Sequence, residues 1–138
     1  MKNIAILFLL LSGCVAALAQ ESGMATVYFY RYRQMQGSLL RPSVYCDDVP
    51  LARVVNGRQF SVKVPAGRHV FTAEDRQAGA TFTLEAGKTY YFRTDLQMGF
   101  FKGHFRLSLI PAEQGQFDIT NLKPLDDEDQ SVRVFGQK

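Results

Sequence analysis

Cysteine and histidine are scarce in this sequence, and the motifs of several enzyme classes are absent from it. Its 138 residues include two cysteines and two histidines. Two cysteines cannot make a disulfide-rich scaffold or a four-cysteine zinc site, and no Cys-His cluster is present from which a zinc enzyme could be built. The chain also has no G-x-S-x-G elbow, no phosphate-binding P-loop and no EF-hand loop. We therefore predict a protein that is not an enzyme, with no catalytic residues, no metal site and no cofactor.

Long hydrophobic runs are missing as well. The run from Ile4 to Leu11 is unbroken, but it is short of the roughly 20 apolar residues that a membrane-spanning helix needs. Hydrophobic residues make up 46% of the chain and charged residues 21%, which is an ordinary globular balance. This balance excludes a disordered chain and a multi-pass membrane protein, and the length of 138 residues favours one domain.

The first residues have the order of a secretory signal: a positive start, the apolar run and then small residues. The sequence contains two alternative cleavage sites. Leu11 to Cys14 (LSGC) matches the lipobox of bacterial lipoproteins, in which the cysteine carries the lipid and becomes the mature N-terminus. Ala17 to Ala19 (ALA) matches the A-x-A site of ordinary secretory cleavage, which releases a chain beginning at Gln20. The signal therefore spans residues 1–13 with lipidation of Cys14, or residues 1–19 without it.

Alternating apolar and polar residues recur from Met24 onward, and turn signals separate them roughly every 8–12 residues. This pattern predicts an all-β fold, an antiparallel β-sandwich of about seven or eight strands over residues 24–124. Asn56-Gly57 predicts a hairpin turn, and no stretch after the signal has helical periodicity. The acidic segment 125–138 predicts a solvated, flexible tail. The apolar sets that alternate most clearly are Ala25, Val27 and Phe29; Phe60, Val62 and Val64; Ala80, Phe82 and Leu84; and Phe105, Leu107 and Leu109.

Three stretches resemble bacterial envelope proteins that carry the domain of unknown function 2846. They are Ala25 to Arg33 (ATVYFYRYR), Pro42 to Arg53 (PSVYCDDVPLAR), and Val64 to Phe71 (VPAGRHVF) followed by Ala86 to Tyr91 (AGKTYY). The resemblance covers nearly all of Met24 to about Leu125. It implies a transthyretin-like or carboxypeptidase-regulatory-like sandwich, often on a lipoprotein, and it brings no catalytic residues. Asp47-Asp48 departs from the Asp-Gly that relatives often have, which puts this hairpin's register in question.

The residues with reactive side chains have structural interpretations. Cys46 is expected to be a small buried residue, and His69 is expected to point inward beside Phe71. Adjacent carboxylates such as Asp47-Asp48 face opposite ways in a strand, so they are expected to serve turns rather than one reacting centre.

One loop is a candidate contact site. Met98, Phe100 and Phe101 are large apolar residues around Gly99 and before Gly103. They either fold back to cap the open end of the sandwich or form an apolar contact patch for a partner or the membrane surface.

The net charge and the predicted export together limit the kinds of partner that we expect. Between Met24 and Pro124 there are 13 Lys and Arg against 8 Asp and Glu, a net charge of +5. This excess is typical of a solvated surface, or of one that lies along anionic headgroups or acidic polysaccharide. An exported chain meets little nucleic acid. We expect an exported, non-enzymatic module of the bacterial periplasm or membrane, which presents a surface to an envelope protein or polymer. The alternative is a carrier of a small apolar ligand in a cavity near residues 98–101.

Overall fold

Two β-sheets pack face to face in the computed structural model, which describes residues 23–74, 79–100 and 103–126. Within these residues nine strands and one helix form, so the predicted two-sheet β-sandwich is confirmed. The elements are β1 (Met24–Tyr30), β2 (Ser43–Cys46), β3 (Val49–Arg53), β4 (Arg58–Pro65), β5 (Gly67–Ala73), β6 (Gly79–Leu84), β7 (Thr89–Met98), β8 (Gly103–Ile110), α1 (Ala112–Thr120) and β9 (Lys123–Pro124).

The strand order is β8-β7-β1-β4-β9 in the larger sheet and β3-β2-β5-β6 in the smaller one. The prediction of purely antiparallel pairing was wrong in two places, because β1 pairs with β7 in parallel and β4 pairs with β9 in parallel. Alternation of apolar residues tells which side chains face inward, but it carries no information about strand direction. The parallel pairing has a consequence for position: β1 and β7 both run toward the same end of the molecule.

The core lies between the inner faces of the two sheets, as the alternation predicts. Its centre is Phe29 on β1, whose ring lies 5.3 Å from Phe60, 5.7 Å from Phe71 and 5.6 Å from Phe92. The buried cluster begins at Ala25 and ends at Leu125 in the described part of the chain. Residues 25–125 thus supply the whole of this cluster, and the folded part includes Leu125.

The hairpin turn lies at a different place from the one predicted. Asp47 and Asp48 have φ of 49° and 65°, and they join the paired residues Cys46 and Val49. Two central residues with positive φ define the type I′ turn of a two-residue hairpin. At Asn56-Gly57 only Gly57 has a positive φ, +73°, and the turn leads from β3 in one sheet to β4 in the other. Asn-Gly therefore marks a turn here, but one that connects the two sheets.

The helix corrects the expectation that none follows the signal. α1 buries Gly115 and Asp118 instead of an apolar stripe, so helical periodicity of apolar residues is missing from its sequence. The Tyr30 hydroxyl on β1 donates to Asp118 Oδ2 at 2.6 Å, and the Gln114 amide donates to Asp118 Oδ1 at 2.7 Å. A Cβ at Gly115 would overlap the Tyr91 ring, so glycine lets the helix lie directly on the sheet.

Several predicted features fall outside the described residues. They are the signal segment with Cys14, Phe101 in the candidate loop, and residues 127–138 of the tail. At the start of the tail, Arg58 Nη2 lies 3.3 Å from Asp126 Oδ2. Among the described helices, none is long and apolar enough to cross a membrane.

Candidate functional site

Five large apolar side chains are exposed together at one end of the sandwich. Three belong to the loop after β1 and two to the end of β7, and the parallel course of these strands brings both segments to the same end. Met35 is 96% exposed, Leu39 92% and Met98 64%, and Phe100 is fully exposed. We call this set the apolar tip; its members are Met35, Leu39, Leu40, Met98 and Phe100.

Close packing of small residues joins the two segments of the tip. A Cβ built on Gly37 would lie 2.6 Å from Leu96 Cδ2, and one on Gly103 would lie 2.9 Å from Leu96 Cδ1. Gly37 also has φ of +68°, a conformation that residues with a side chain rarely adopt. Both glycines therefore let the chain approach Leu96 on β7 closely, and the 31–42 loop rests against the end of the β7–β8 hairpin.

A buried arginine fixes the 31–42 loop from inside. Arg31 is only 1% exposed; its Nη1 donates to the Leu40 carbonyl at 2.9 Å and its Nη2 to the Gly37 carbonyl at 3.0 Å. The guanidinium carbon lies 5.2 Å from the centre of the Phe105 ring on β8, within the range of a cation–π contact. Burial lowers the pKa of Arg31. Arg31 thus ties the loop to β8, and the apolar side chains of the loop are left pointing outward.

The two segments that form the apolar tip also carry the net positive charge of the domain. Residues 31–42 contain three arginines, residues 96–106 contain one lysine and one arginine, and neither segment contains Asp or Glu. Residues 24–124 contain 13 basic and eight acidic residues. Without the five basic residues of these two segments, the domain would have eight of each and no net charge. The neighbouring carboxylate Asp95 lies 2.9 Å from Arg93. The excess charge of the domain therefore resides in the two tip-forming segments.

The structure shows where two residues of the predicted contact loop lie. Met98 and Phe100, the described members of the predicted contact loop, are exposed and do not cap the sandwich. Met35, Leu39 and Leu40 were missed, because a loop sequence does not reveal that it will rest on Leu96, some 60 residues further along the chain. The available signal was the placement of large apolar residues in a Gly/Ser-containing segment without acidic residues.

A second cluster joins Cys46, Asp47 and His69 at the opposite end, and sequence analysis did not pair them. Their candidate ligand atoms lie within 4.8 Å of one another. His69 Nδ1 is 2.6 Å from Asp47 Oδ2, and His69 Nε2 is 2.7 Å from the Pro65 carbonyl oxygen. Both partners are acceptors, so the ring donates to both only as the protonated imidazolium.

The distances within this second cluster are those of hydrogen bonds. Two ligands of one tetrahedral zinc ion stand roughly 3.3 Å apart, whereas the 2.6 Å between His69 and Asp47 is a hydrogen-bond distance. A histidine base is one way to activate a cysteine nucleophile, but the Cys46 thiol lies 3.9 Å from Asp47 and both ring nitrogens of His69 have other partners. Burial, with help from the Asp47 charge, raises the pKa of Cys46 to about 12. The thiol is therefore buried and protonated near neutral pH.

Asp47 is the centre of this cluster. Its Oδ1 accepts the Val70 backbone N–H at 2.9 Å, while Oδ2 faces His69. Burial raises the pKa of this carboxyl, but the hydrogen bonds from Val70 and His69 outweigh that effect and hold the pKa below its usual value. The carboxylate thus closes the β2–β3 turn onto β5.

Two packed sheets, a helix laid on one of them and an exposed apolar tip define a small β-sandwich with exposed apolar side chains at one end. The family model described as "Protein of unknown function (DUF2846)" matches residues 21–105, more than half of the chain. The chain belongs to this family. No curated protein and no solved structure matches it. The matched residues include both segments of the tip up to Phe105.

Proposed function

We propose that this chain is an exported, non-enzymatic module of the bacterial cell envelope that binds an envelope partner through its apolar tip. The signal-like start of the sequence supports export, and the lipobox at Cys14 supports attachment as a lipoprotein. We expect the sandwich to be of the transthyretin-like or carboxypeptidase-regulatory-like type.

The observation that carries this proposal is the exposure of five large apolar side chains at one end of the fold. Apolar residues scattered singly over a surface are ordinary, but several large ones gathered at one end of a fold favour an interaction site. The glycines that pack on Leu96 and the buried guanidinium of Arg31 hold this patch in place. A fold that served stability alone would gain by turning Leu39 inward.

The position of the tip supports a contact role for it. β1 begins at Met24 at one end of the sandwich and runs toward the tip at the other. A chain attached through residues before Met24 would therefore have its attachment point and its tip at opposite ends of the domain, so the attachment would leave the tip uncovered. Residues 15–23 would be the tether in a lipoprotein, and fully extended they would span roughly 30 Å.

Site-specific photo-crosslinking in living cells tests the proposal. A photo-reactive residue at position 100 is expected to crosslink to an envelope component. The same residue at position 117 provides the matched control, because Phe117 is 66% exposed on α1 and lies outside the tip. Fractionation and intact-mass measurement of the same cells report export and the presence of a lipid on Cys14. A chain that stays in the cytosol, or equal crosslinking from both positions, would overturn the proposal.

A cleft favours a second function, the carrier of a small apolar ligand. It has a volume of about 470 Å³, lies between the sheet edges β6 and β8, and opens beside the loop after Met98. This volume falls in the range of small-molecule sites. The aromatic residues lining it are Phe71, Phe82 and Phe105, with Gln97 and His104 among the polar ones.

Native mass spectrometry of protein taken from its own envelope tests the carrier. A retained small molecule that is lost in Leu107→Arg, which places a charge in the cleft, would support it. The matched control is Phe117→Arg on α1, because Phe117 is 66% exposed and does not line the cleft. Protein that carries no small molecule would reject the carrier and leave the contact module.

A further inference from the structure

We propose that the partner of the apolar tip is an anionic phospholipid surface, into which the side chains of Met35, Leu39 and Phe100 insert. This inference rests on the proposed function, because it names the chemistry of the partner that the tip contacts. Three features of the tip carry it: the way its side chains project, the sign of its charge and the rigidity of its loop.

The projection of the side chains suits a fluid partner. Met35 and Leu39 are more than nine-tenths exposed and Phe100 is fully exposed, so these side chains project from the surface as prongs. A protein partner would need a matching pocket for each prong, since protein interfaces pack as densely as protein interiors. The boundary between lipid headgroups and acyl chains adapts to any such shape and takes up apolar groups to a depth of roughly 5–10 Å.

The charge of the tip selects the kind of lipid. Arg33, Arg41 and Arg106 are exposed in the two segments that form the tip, and those segments contain no acidic residue. Arginine side chains extend along apolar surface and keep the guanidinium in the headgroup layer. Each basic residue near an anionic membrane strengthens binding by about fivefold. A membrane without anionic lipid would lose this contribution.

The rigidity of the loop removes a cost of insertion. Arg31 bonds the carbonyls of Gly37 and Leu40, on either side of Leu39, and its guanidinium lies over Phe105. The loop is therefore ordered before it meets a membrane, and little conformational freedom remains to be lost on binding. Arg31 acts as a positioning residue and does not itself reach the lipid.

Vesicle sedimentation tests the inference directly. The chain beginning at Gln20 keeps residues 25–125 and thus the whole buried cluster. We expect it to sediment with vesicles of equal parts phosphatidylglycerol and phosphatidylcholine, and weakly or not at all with phosphatidylcholine alone. Burying a large apolar side chain strengthens binding by about tenfold or more, so Leu39→Ser and Phe100→Ser are each expected to weaken it by about tenfold. Phe117→Ser is the matched control and is expected to bind like the unmodified chain.

Fluorescence gives a readout that does not depend on affinity. The sequence contains no tryptophan, so Phe100→Trp introduces a single reporter at the tip. Its emission is expected to shift to the blue when anionic vesicles are added, because the indole enters an apolar layer. Phe117→Trp on α1 is expected to show no shift. A blue shift at position 117 with none at position 100 would overturn the inference.

The outcomes separate this inference from the proposed function. If the chain ignores anionic vesicles while position 100 still crosslinks to an envelope protein, the lipid inference fails and the proposed function stands. If both tests fail, both proposals fail.

Discussion

The two ends of this sandwich differ in which side chains bond to the backbone of the turn or loop and which side chains face water. At the end where β1 begins, the charged side chain of Asp47 turns back to accept hydrogen bonds from Val70 and His69. At the tip, Arg31 is turned inward to bond loop carbonyls, and apolar residues such as Leu39 face water. Val49 and Val70 beside Asp47 are 38% and 42% exposed, whereas Leu39 at the tip is 92% exposed. The tip is therefore the end with the greater exposure of large apolar side chains.

Replacing Arg31 is expected to have the largest effect. Arg31→Ala leaves the carbonyls of Gly37 and Leu40 without their donor and opens a cavity beside Phe105, so the free energy of unfolding is expected to fall by about 3–5 kcal/mol. Urea denaturation followed by circular dichroism measures it. Arg33→Ala is the matched control, an exposed arginine two residues away, with an expected change within about 0.5 kcal/mol. A loss below about 1 kcal/mol for Arg31→Ala would contradict the role of Arg31.

The Asp47 cluster predicts a smaller and pH-dependent effect. Asp47→Asn keeps the size of the side chain but removes its charge, and at neutral pH the loss is expected to be about 1 kcal/mol, since Asp47 is partly exposed. The folded-state pKa of Asp47 is lowered, so its contribution is complete above the unfolded pKa of about 3.9 and is lost as the pH falls through the folded value. The difference between the two proteins should therefore narrow below about pH 4. Urea titrations at several pH values measure it, and a constant difference would count against the account.

The two residues of the hairpin turn are expected to respond with opposite signs. Asp48 has φ of 65°, and Asp48→Gly is expected to raise the free energy of unfolding by about 0.5–1 kcal/mol by relieving a backbone conformation that glycine adopts freely. Asp47→Gly relieves a similar φ but removes the bonds to Val70 and His69, so it is expected to destabilise. Thermal unfolding of both variants gives the comparison. If both variants changed the stability in the same direction, the separate roles assigned to the two aspartates would be wrong.

The smallest change in the free energy of unfolding is expected for a substitution at the surface of the tip. Phe100→Ser should alter the free energy of unfolding by no more than about 0.5 kcal/mol, because Phe100 is fully exposed. Phe71→Ser in the core should lower it by about 3 kcal/mol or more. Denaturation of the two variants side by side checks this, and a marked loss for Phe100→Ser would mean that the ring contributes to the fold.

The sequence predicted the sheets well and the connections poorly, for a physical reason. Successive side chains of a strand point to opposite faces, so Val27 and Phe29 lie on one face and Thr26 and Tyr28 on the other. This pattern can be read from the strand's own sequence. Whether Asn56-Gly57 closes a hairpin or leads to the other sheet depends on distant partners. The Asp47-Asp48 hairpin was open to question because glycine was missing, yet aspartate tolerates the same φ.

The candidate site was predictable where it depended on residue type alone. Met98 and Phe100 are large apolar residues in a glycine-rich loop, and this composition is visible in one segment of the chain. The contribution of Arg31 was not visible, because a sequence presents arginine as a surface residue, and its burial requires carbonyls that only the folded loop supplies. α1 was missed for a similar reason: its buried face is Gly115 and Asp118, which carry no hydrophobic signal.

The place of β1 in the larger sheet has a consequence for how the chain folds. The first strand of the domain is held between β4 and β7, and Thr26 pairs with Thr89, 63 positions further along. Non-local pairing of this kind delays folding, since the chain must close a large loop before the contact can form. Until β7 has emerged, the leading strand has only one of its two neighbours. A polypeptide threaded N-terminus first across a membrane would thus remain loose enough for transport until most of it had been made.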